Sequence, residues 1–334
     1  MTQPIPVIIG PTAVGKTDLS LAIARALEAE IVGGDSRQVY RFLDIGTAKP
    51  TIAERQVVRH HLIDILNPDE PFNAARFAQL AWGCIHAIEA RGRLALVVGG
   101  TGLYIRALTD GLFAGPGADP RLRTALEAEA QSLGLQALHD RLATVDPAAA
   151  NRIHPHDRVR VIRALEIYTL TGTPISQWQC QWQNPLRSRT FLLIGLTRNR
   201  EDLRRRLATR TGAMLQMGLV DEVRRVMGMG YSPTLPTLQS VGYGEIVAYL
   251  GGTYDLARAR ELIERNTWRL AKRQMTWFRR MTGLHWISLT ETPEAVAIQR
   301  IQDLLANSRP HLQELLPAIR PEGQRTECAC PVLR

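Results

Sequence analysis

The segment Gly10-Pro11-Thr12-Ala13-Val14-Gly15-Lys16-Thr17 constrains this chain more than any other stretch. It follows the short apolar run Pro6–Ile9, which fits a buried parallel strand. After it, Leu19, Ala22, Ile23, Ala26 and Leu27 recur at helical spacing. Strand, glycine-bounded loop and helix, in that order, predict a phosphate-binding loop on an α/β sheet. The glycines let main-chain N–H groups turn inward around an anion, and the helix N-terminus adds its partial positive charge. Lys16 is placed to reach the phosphates, and the Thr17 hydroxyl to ligate Mg²⁺. The motif specifies phosphate without specifying ATP.

With 334 residues, 45% hydrophobic and 22% charged, the chain has material for about two domains, or one large domain with an insertion. No run of about 18 apolar residues occurs, so no membrane helix is expected. Met1 to Ile9 shows no secretory pattern, and the four cysteines have no paired-ligand spacing. A cytoplasmic protein is expected.

The net charge of +9 is unevenly placed. Residues 1–110 hold 11 basic and 11 acidic side chains, 111–190 hold 9 and 7, and 291–334 hold 5 and 6. Residues 191–290 hold 16 and 8, a net +8, which points to a polyanionic partner, nucleic acid ahead of membrane. Only three of the 41 basic residues are lysines, Lys16, Lys49 and Lys272, and each lies in a candidate motif.

Along the chain, Ala29–Val32 reads as a second strand ending in Gly33-Gly34-Asp35-Ser36-Arg37-Gln38-Val39-Tyr40. An acid at that strand end suits a site, although Asp35 with Gln38 also fits a helix capping box. Asp44-Ile45-Gly46-Thr47-Ala48-Lys49-Pro50 is a glycine-containing loop. His60 and His61 are expected to be structural, because strand neighbours face opposite ways and no third ligand is evident. Asn73 to Arg91 is an amphipathic helix. The buried strand Leu94–Val98 runs into Gly99-Gly100-Thr101-Gly102, where Thr101 could touch the anion or cap the next helix. That strand ends without the acid many P-loop NTPases use for Mg²⁺, which weakens an ATPase reading.

From Gly111 the texture becomes helical, with 119–131, 135–142 and 156–170 as helices, and Phe191–Leu196 returns to a strand. Helices over 198–217 and 256–281 carry the basic excess. In the second, Trp268 and Trp277 could stack on bases or anchor a core. His285–Leu289 reads as a last strand. The fold class is therefore α/β, a P-loop NTPase-like parallel sheet with a helical insertion. The core's first part spans 1–110, the insertion 111–190, the basic return 191–308 and a mobile tail 309–334, where Cys328 and Cys330 read as surface thiols.

Seven ordered motifs, GPTAVGKT (10–17), GGDSRQVY (33–40), DIGTAKP (44–50), VVGGTGLYIRAL (97–108), DRVRVIRALEIY (157–168), SVGYGE (240–245) and KRQMTWFRR (272–280), resemble the bacterial tRNA dimethylallyltransferases (tRNA isopentenyltransferases) over about residues 4–290. The resemblance implies a nucleotide-kinase-like core and an insertion that grips the anticodon stem-loop. It implies transfer of a dimethylallyl group from its diphosphate to the exocyclic amine of the adenosine 3′-adjacent to the anticodon, giving isopentenyladenosine. Gly10, Pro11, Thr12, Ala13, Val14, Gly15, Lys16 and Thr17 would hold the diphosphate, with Thr17 on Mg²⁺. Lys16, Asp35 and Thr101 would be catalytic, Asp35 as general base. It assigns to tRNA the strand-end residues Asp35, Ser36, Arg37, Gln38 and Thr101. In the insertion it assigns Arg123, Val159, Arg160, Val161, Ile162 and Arg163, and further on Gln239, Gly242, Tyr243, Lys272, Arg273, Gln274 and Arg279. The partners implied are tRNA and dimethylallyl diphosphate, with no membrane and a monomeric protein. Gly244 departs from the pattern, where the family carries a basic residue, and the zinc finger of eukaryotic relatives has no counterpart. A small-molecule P-loop kinase is the first rival reading, disfavoured by the acid-free strand end and the +8 stretch. A GTPase-like RNA-binding module is the second, and the chain has no N-K-x-D motif for guanine.

Overall fold

The computed structural model describes residues 3–113, 115–180 and 189–308. The proposed tail from 309, with Cys328 and Cys330, lies outside these residues. The elements run β1 (Ile5–Ile9), α1 (Lys16–Ala26), β2 (Ala29–Gly34), α2 (Ile52–Val57), β3 (His60–His61), α3 (Ala74–Glu89), β4 (Leu94–Gly99) and α4 (Gly102–Thr109). Five helices follow: α5 (Pro120–Ser132), α6 (Leu135–Val145), α7 (Pro147–Ala150), α8 (Arg158–Thr171) and α9 (Ile175–Cys180). The chain then forms β5 (Phe191–Thr197), α10 (Arg200–Gln216), α11 (Leu219–Gly228), α12 (Tyr243–Leu250), α13 (Leu256–Phe278), β6 (Leu284–Ser288) and α14 (Glu294–Asn307).

The six strands make one parallel sheet in the order β3-β2-β4-β1-β5-β6. β1 and β2 are buried along their whole length, because helices cover both faces of the sheet. On one face Phe77, Ile85 and Ile88 of α3 and Ile105 and Leu108 of α4 pack against Val7, Ile9 and Val97. On the other, Leu19 and Ile23 of α1 and Ile301 and Leu305 of α14 pack against Ile8, Leu96 and Ile194. Side-chain caps set several helix starts. Asn73, Asp119, Asp157, Asn199 and Asp255 each accept a main-chain N–H from the first turn they precede. The helix expected from 156 therefore begins at Arg158, after its Asp157 cap.

Two larger apolar clusters and a small one of Leu203, Leu207 and Ala271 lie outside the sheet layers. Leu126, Leu138, Leu142, Val161, Ile162 and Leu165 close a core among α5, α6 and α8. Val39, Tyr40, Leu43 and Leu66 pack with Leu219, Val223, Tyr243, Ile246 and Ile263, joining the segment after β2 to α11, α12 and α13. This second cluster lies at the carboxyl end of β2, where the candidate chemistry gathers. Among the described residues, no helix is long and apolar enough to cross a membrane.

Candidate active site

β2, β4 and β1 are neighbours, so the three loops at their carboxyl ends meet. They are the phosphate loop after β1, Asp35 to Gln38 after β2, and Gly100–Thr101 after β4. A cavity of about 720 Å³ opens there, lined by Thr12, Ala13, Gly15, Lys16, Thr17, Asp18, Asp35, Gln38, Gly100 and Gln274. Arg205, Arg206 and Arg210 of α10 line its opposite side.

In the phosphate loop Gly15 adopts φ 108°, a left-handed conformation that favours glycine and starts α1. Gly10, Pro11 and Val14 are the buried residues of the loop. Lys16 Nζ donates to the Gly10 and Pro11 carbonyls, both at 2.9 Å. Burial lowers its ammonium to about 8, the nearby Asp35 carboxylate opposing and Arg210 assisting. The loop's outward carbonyls are also held: Arg206 Nε donates to Ala13 O at 3.1 Å, and Arg198 Nε to Val14 O at 2.7 Å. Arg198 also pairs with Asp202 at 2.7 Å. Burial holds the Arg210 guanidinium below its ordinary value, against the pull of Asp35.

Asp35 Oδ1 accepts the N–H groups of Arg37 (2.8 Å) and Gln38 (3.4 Å). The second half of the capping-box expectation does not hold. No helix follows Asp35, and the Gln38 side chain turns away, donating to Thr47 O and Ala48 O at 3.2 and 3.1 Å. Thr101 does not cap α4 with its side chain; Oγ1 instead accepts the Ser36 N–H at 3.0 Å, tying the β2 and β4 loops together. Lys49 is a structural lysine, its ammonium between Asp44 (2.5 Å), Asp64 (2.6 Å) and Tyr40 O (2.8 Å). His60 and His61 take separate partners, Val58 O and Glu30.

The residues assigned to tRNA fall into three groups. Lys272 and Arg273 are exposed on α13 and Arg279 just past its end, Gln239 is exposed before α12, and Arg37 is half-buried with its guanidinium near Pro236 O. Val159 and Arg160 are exposed at the start of α8. A second group is engaged with protein. Arg123 and Arg163 clasp Glu166, which is fully buried. Burial pushes the Glu166 carboxyl up, but hydrogen bonds from Arg123, Arg163 and the Asp119 N–H outweigh it and hold the group below its usual range. Gln274 faces the phosphate loop: Oε1 accepts the Thr12 N–H and Nε2 donates to Gly100 O, both at 2.9 Å. The third group is buried. The side chains of Val161, Ile162 and Tyr243 are buried in apolar clusters, so any contact from these positions falls to their main chain. Gly242, with φ 97°, donates its N–H to Glu245 at 2.8 Å. At Gly244, where the family pattern has a basic side chain, a Cβ would lie 3.3 Å from Gln239 O.

Trp268 and Trp277 are packed rather than presented. Trp268 lies against Leu203, Leu207 and Ala271, with the Arg204 guanidinium 4.8 Å over its ring, and Trp277 packs on the α3–α4 side of the sheet core. In the sequence Arg206 and Arg210 count only toward the basic stretch over 191–290, whereas in the structure both line the phosphate-loop cavity. Their spacing of four, one helical face, is the available signal.

A family model described as IPP transferase matches residues 38–281. The tRNA dimethylallyltransferase of Heliobacterium modesticaldum is 48% identical over 304 residues, 90% of this chain and 94% of that protein. The solved tRNA isopentenylpyrophosphate transferase of Bacillus halodurans is 41% identical, with a TM-score of 0.70 over 94% of this chain and 99% of that one. A solved eukaryotic dimethylallyltransferase acting on tRNA is 26% identical, with a TM-score of 0.76 over 92% of this chain and 80% of that one. By sequence over most of its length, and by the parallel α/β core it shares with these structures, the chain belongs to the IPP transferase family.

Proposed function

We propose that this protein transfers a dimethylallyl group from dimethylallyl diphosphate to the exocyclic amine of the adenosine 3′-adjacent to the anticodon in tRNA. The observation that carries the reading is the meeting of the phosphate loop, Asp35 and Gly100 at three adjacent strand ends, in a cavity roofed by arginines, with Thr101 next to Gly100. The amine nitrogen attacks the allylic carbon, the carbon–oxygen bond to diphosphate breaks, and the amine proton passes to Asp35. The nucleophile is weak because its lone pair is delocalised into the purine. A base that accepts the proton as the bond forms contributes about 10²–10⁴-fold.

Charge developing on the departing diphosphate is met by Lys16, the loop N–H groups, Arg206 and Arg210. Such preorganised electrostatics is usually the largest catalytic contribution. Thr101 donates its hydroxyl proton toward the diphosphate, since its oxygen is already taken by Ser36 N–H. The cavity offers Mg²⁺ hard oxygen donors, with Thr17 beside Asp18 and Asp35. Thr17 would hold the ion, and the ion would neutralise diphosphate charge. The target adenosine leaves its stack to enter.

The anticodon stem-loop lies against the exposed basic face of α13 and the start of α8, with the insertion over 111–190 gripping it, and the protein acts as a monomer in the cytoplasm. Incubation with labelled dimethylallyl diphosphate, labelled ATP and bulk tRNA tests the reading. Label transfer from the diphosphate to tRNA without ATP consumption is expected. tRNA-independent ATP hydrolysis with no prenyl transfer would overturn it.

A further inference from the structure

Glu222 of α11 is 1% exposed and uses both carboxylate oxygens. Oε2 accepts the N–H groups of Asp44 (3.0 Å) and Ile45 (2.8 Å). Oε1 accepts the Gly46 N–H at 3.2 Å and the Tyr243 hydroxyl at 2.6 Å. Three consecutive main-chain donors on one buried carboxylate make a rigid mount for the 44–46 turn. The Tyr243 ring closes the mount from the other side, and a Cβ on Gly46 would fall 2.4 Å from it. Burial, reinforced by Glu222, pushes the Tyr243 hydroxyl well up, so it serves as donor.

The mounted turn leads directly to the candidate site. Thr47 and Ala48 line the cavity, and their carbonyls receive the Gln38 side chain. Gln38 is the last residue of the turn that Asp35 caps. A path of hydrogen bonds joined by the covalent links between them thus runs from Glu222 through the 44–48 loop and Gln38 to the Asp35 carboxylate. At its other end it reaches Tyr243, next to Gly242 on the segment assigned to tRNA.

We propose that Glu222 is a positioning residue for prenyl transfer, fixing through the 44–48 loop and Gln38 the place from which Asp35 takes the amine proton. This inference rests on the function proposed above. An amide at 222 keeps the volume but turns an NH₂ toward main-chain N–H donors, so it cannot hold all three. The alternative is a carboxylate that only stabilises the fold.

The two are separated by single-turnover prenyl transfer at saturating tRNA and dimethylallyl diphosphate, in full-length Glu222→Gln, Gln38→Ala and the double variant. Melting temperature and inorganic diphosphate affinity are measured alongside. A positioning role lowers the chemical rate of folded Glu222→Gln by about 10–100-fold, as displacement of a reacting group does. Diphosphate affinity stays unchanged, and the double variant is no slower than the worse single one, because both cut the same path. An unchanged rate in folded Glu222→Gln, or rate losses that multiply in the double variant, overturns the proposal. Should Glu222→Gln not fold, Tyr243→Phe replaces it in the same cycle, since it keeps the ring over Gly46 and removes one bond to Glu222; the same two outcomes then decide. No transfer by the unmodified protein overturns the proposed function, and this inference with it.

Discussion

Replacing Asp35 by Asn leaves the Arg37 and Gln38 N–H groups their acceptor, because asparagine caps as well as aspartate. The amide cannot take a proton at neutral pH, so single-turnover transfer by Asp35→Asn is expected to fall at least 100-fold with tRNA affinity retained. Near-normal turnover would make Asp35 a turn residue only. Lys16 supplies a pH dependence of definite sign. Its ammonium, lowered to about 8 by burial, is charged at pH 7 and largely neutral by pH 9. A bound diphosphate favours the charged form, so binding takes up a proton above pH 8 and weakens as pH rises through that value. Calorimetric titration with inorganic diphosphate is expected to show this step in the unmodified protein and its loss in Lys16→Met. These residue types were legible at once, because G-x-x-x-x-G-K-T states its geometry locally. Arg206 was not, because the spacing of four puts it on one face with Arg210 but does not say that α10 docks that face against Ala13 O.

α13 works on two sides. Gln274 turns inward to Thr12 N–H and Gly100 O, one residue after the outward Arg273. Neutralising Lys272, Arg273 and Arg279 together is expected to weaken tRNA binding and lower the salt slope by roughly 0.7–0.9 for each phosphate that these side chains neutralise. Inorganic diphosphate affinity, which depends on the cavity side, should not change. Affinity and slope unchanged by this triple variant would place the tRNA elsewhere. Here the sequence reading was right about the helix and its charge but divided on its aromatics. Helical periodicity sorts residues into faces without saying what each face meets, and Trp268 and Trp277 proved to be packing residues. β1, β4 and β5 were legible because strands buried on both sides are continuous apolar runs. α11, α12 and α14 carry no clear signal in the sequence, and α12 holds Tyr243, whose side chain is buried, leaving its main chain to face a partner.

Over the whole molecule, the α/β class and the helical block between β4 and β5 were visible as changes in texture along the chain. The cluster joining the segment after β2 to α11, α12 and α13 was not, since its members stand nearly 200 residues apart. The same long-range packing gives the three lysines three different surroundings. Lys49 is sealed between two aspartates, Lys16 sits in the phosphate loop and Lys272 stands exposed on α13. To an amine-acylating reagent this protein is therefore a sparse target whose two reactive lysines coincide with its two proposed binding surfaces. At pH 8, mass-spectrometric footprinting should find Lys49 unlabelled throughout. Inorganic diphosphate should shield Lys16 alone and tRNA Lys272, so that one digest reports the occupancy of each surface without a reporter being introduced.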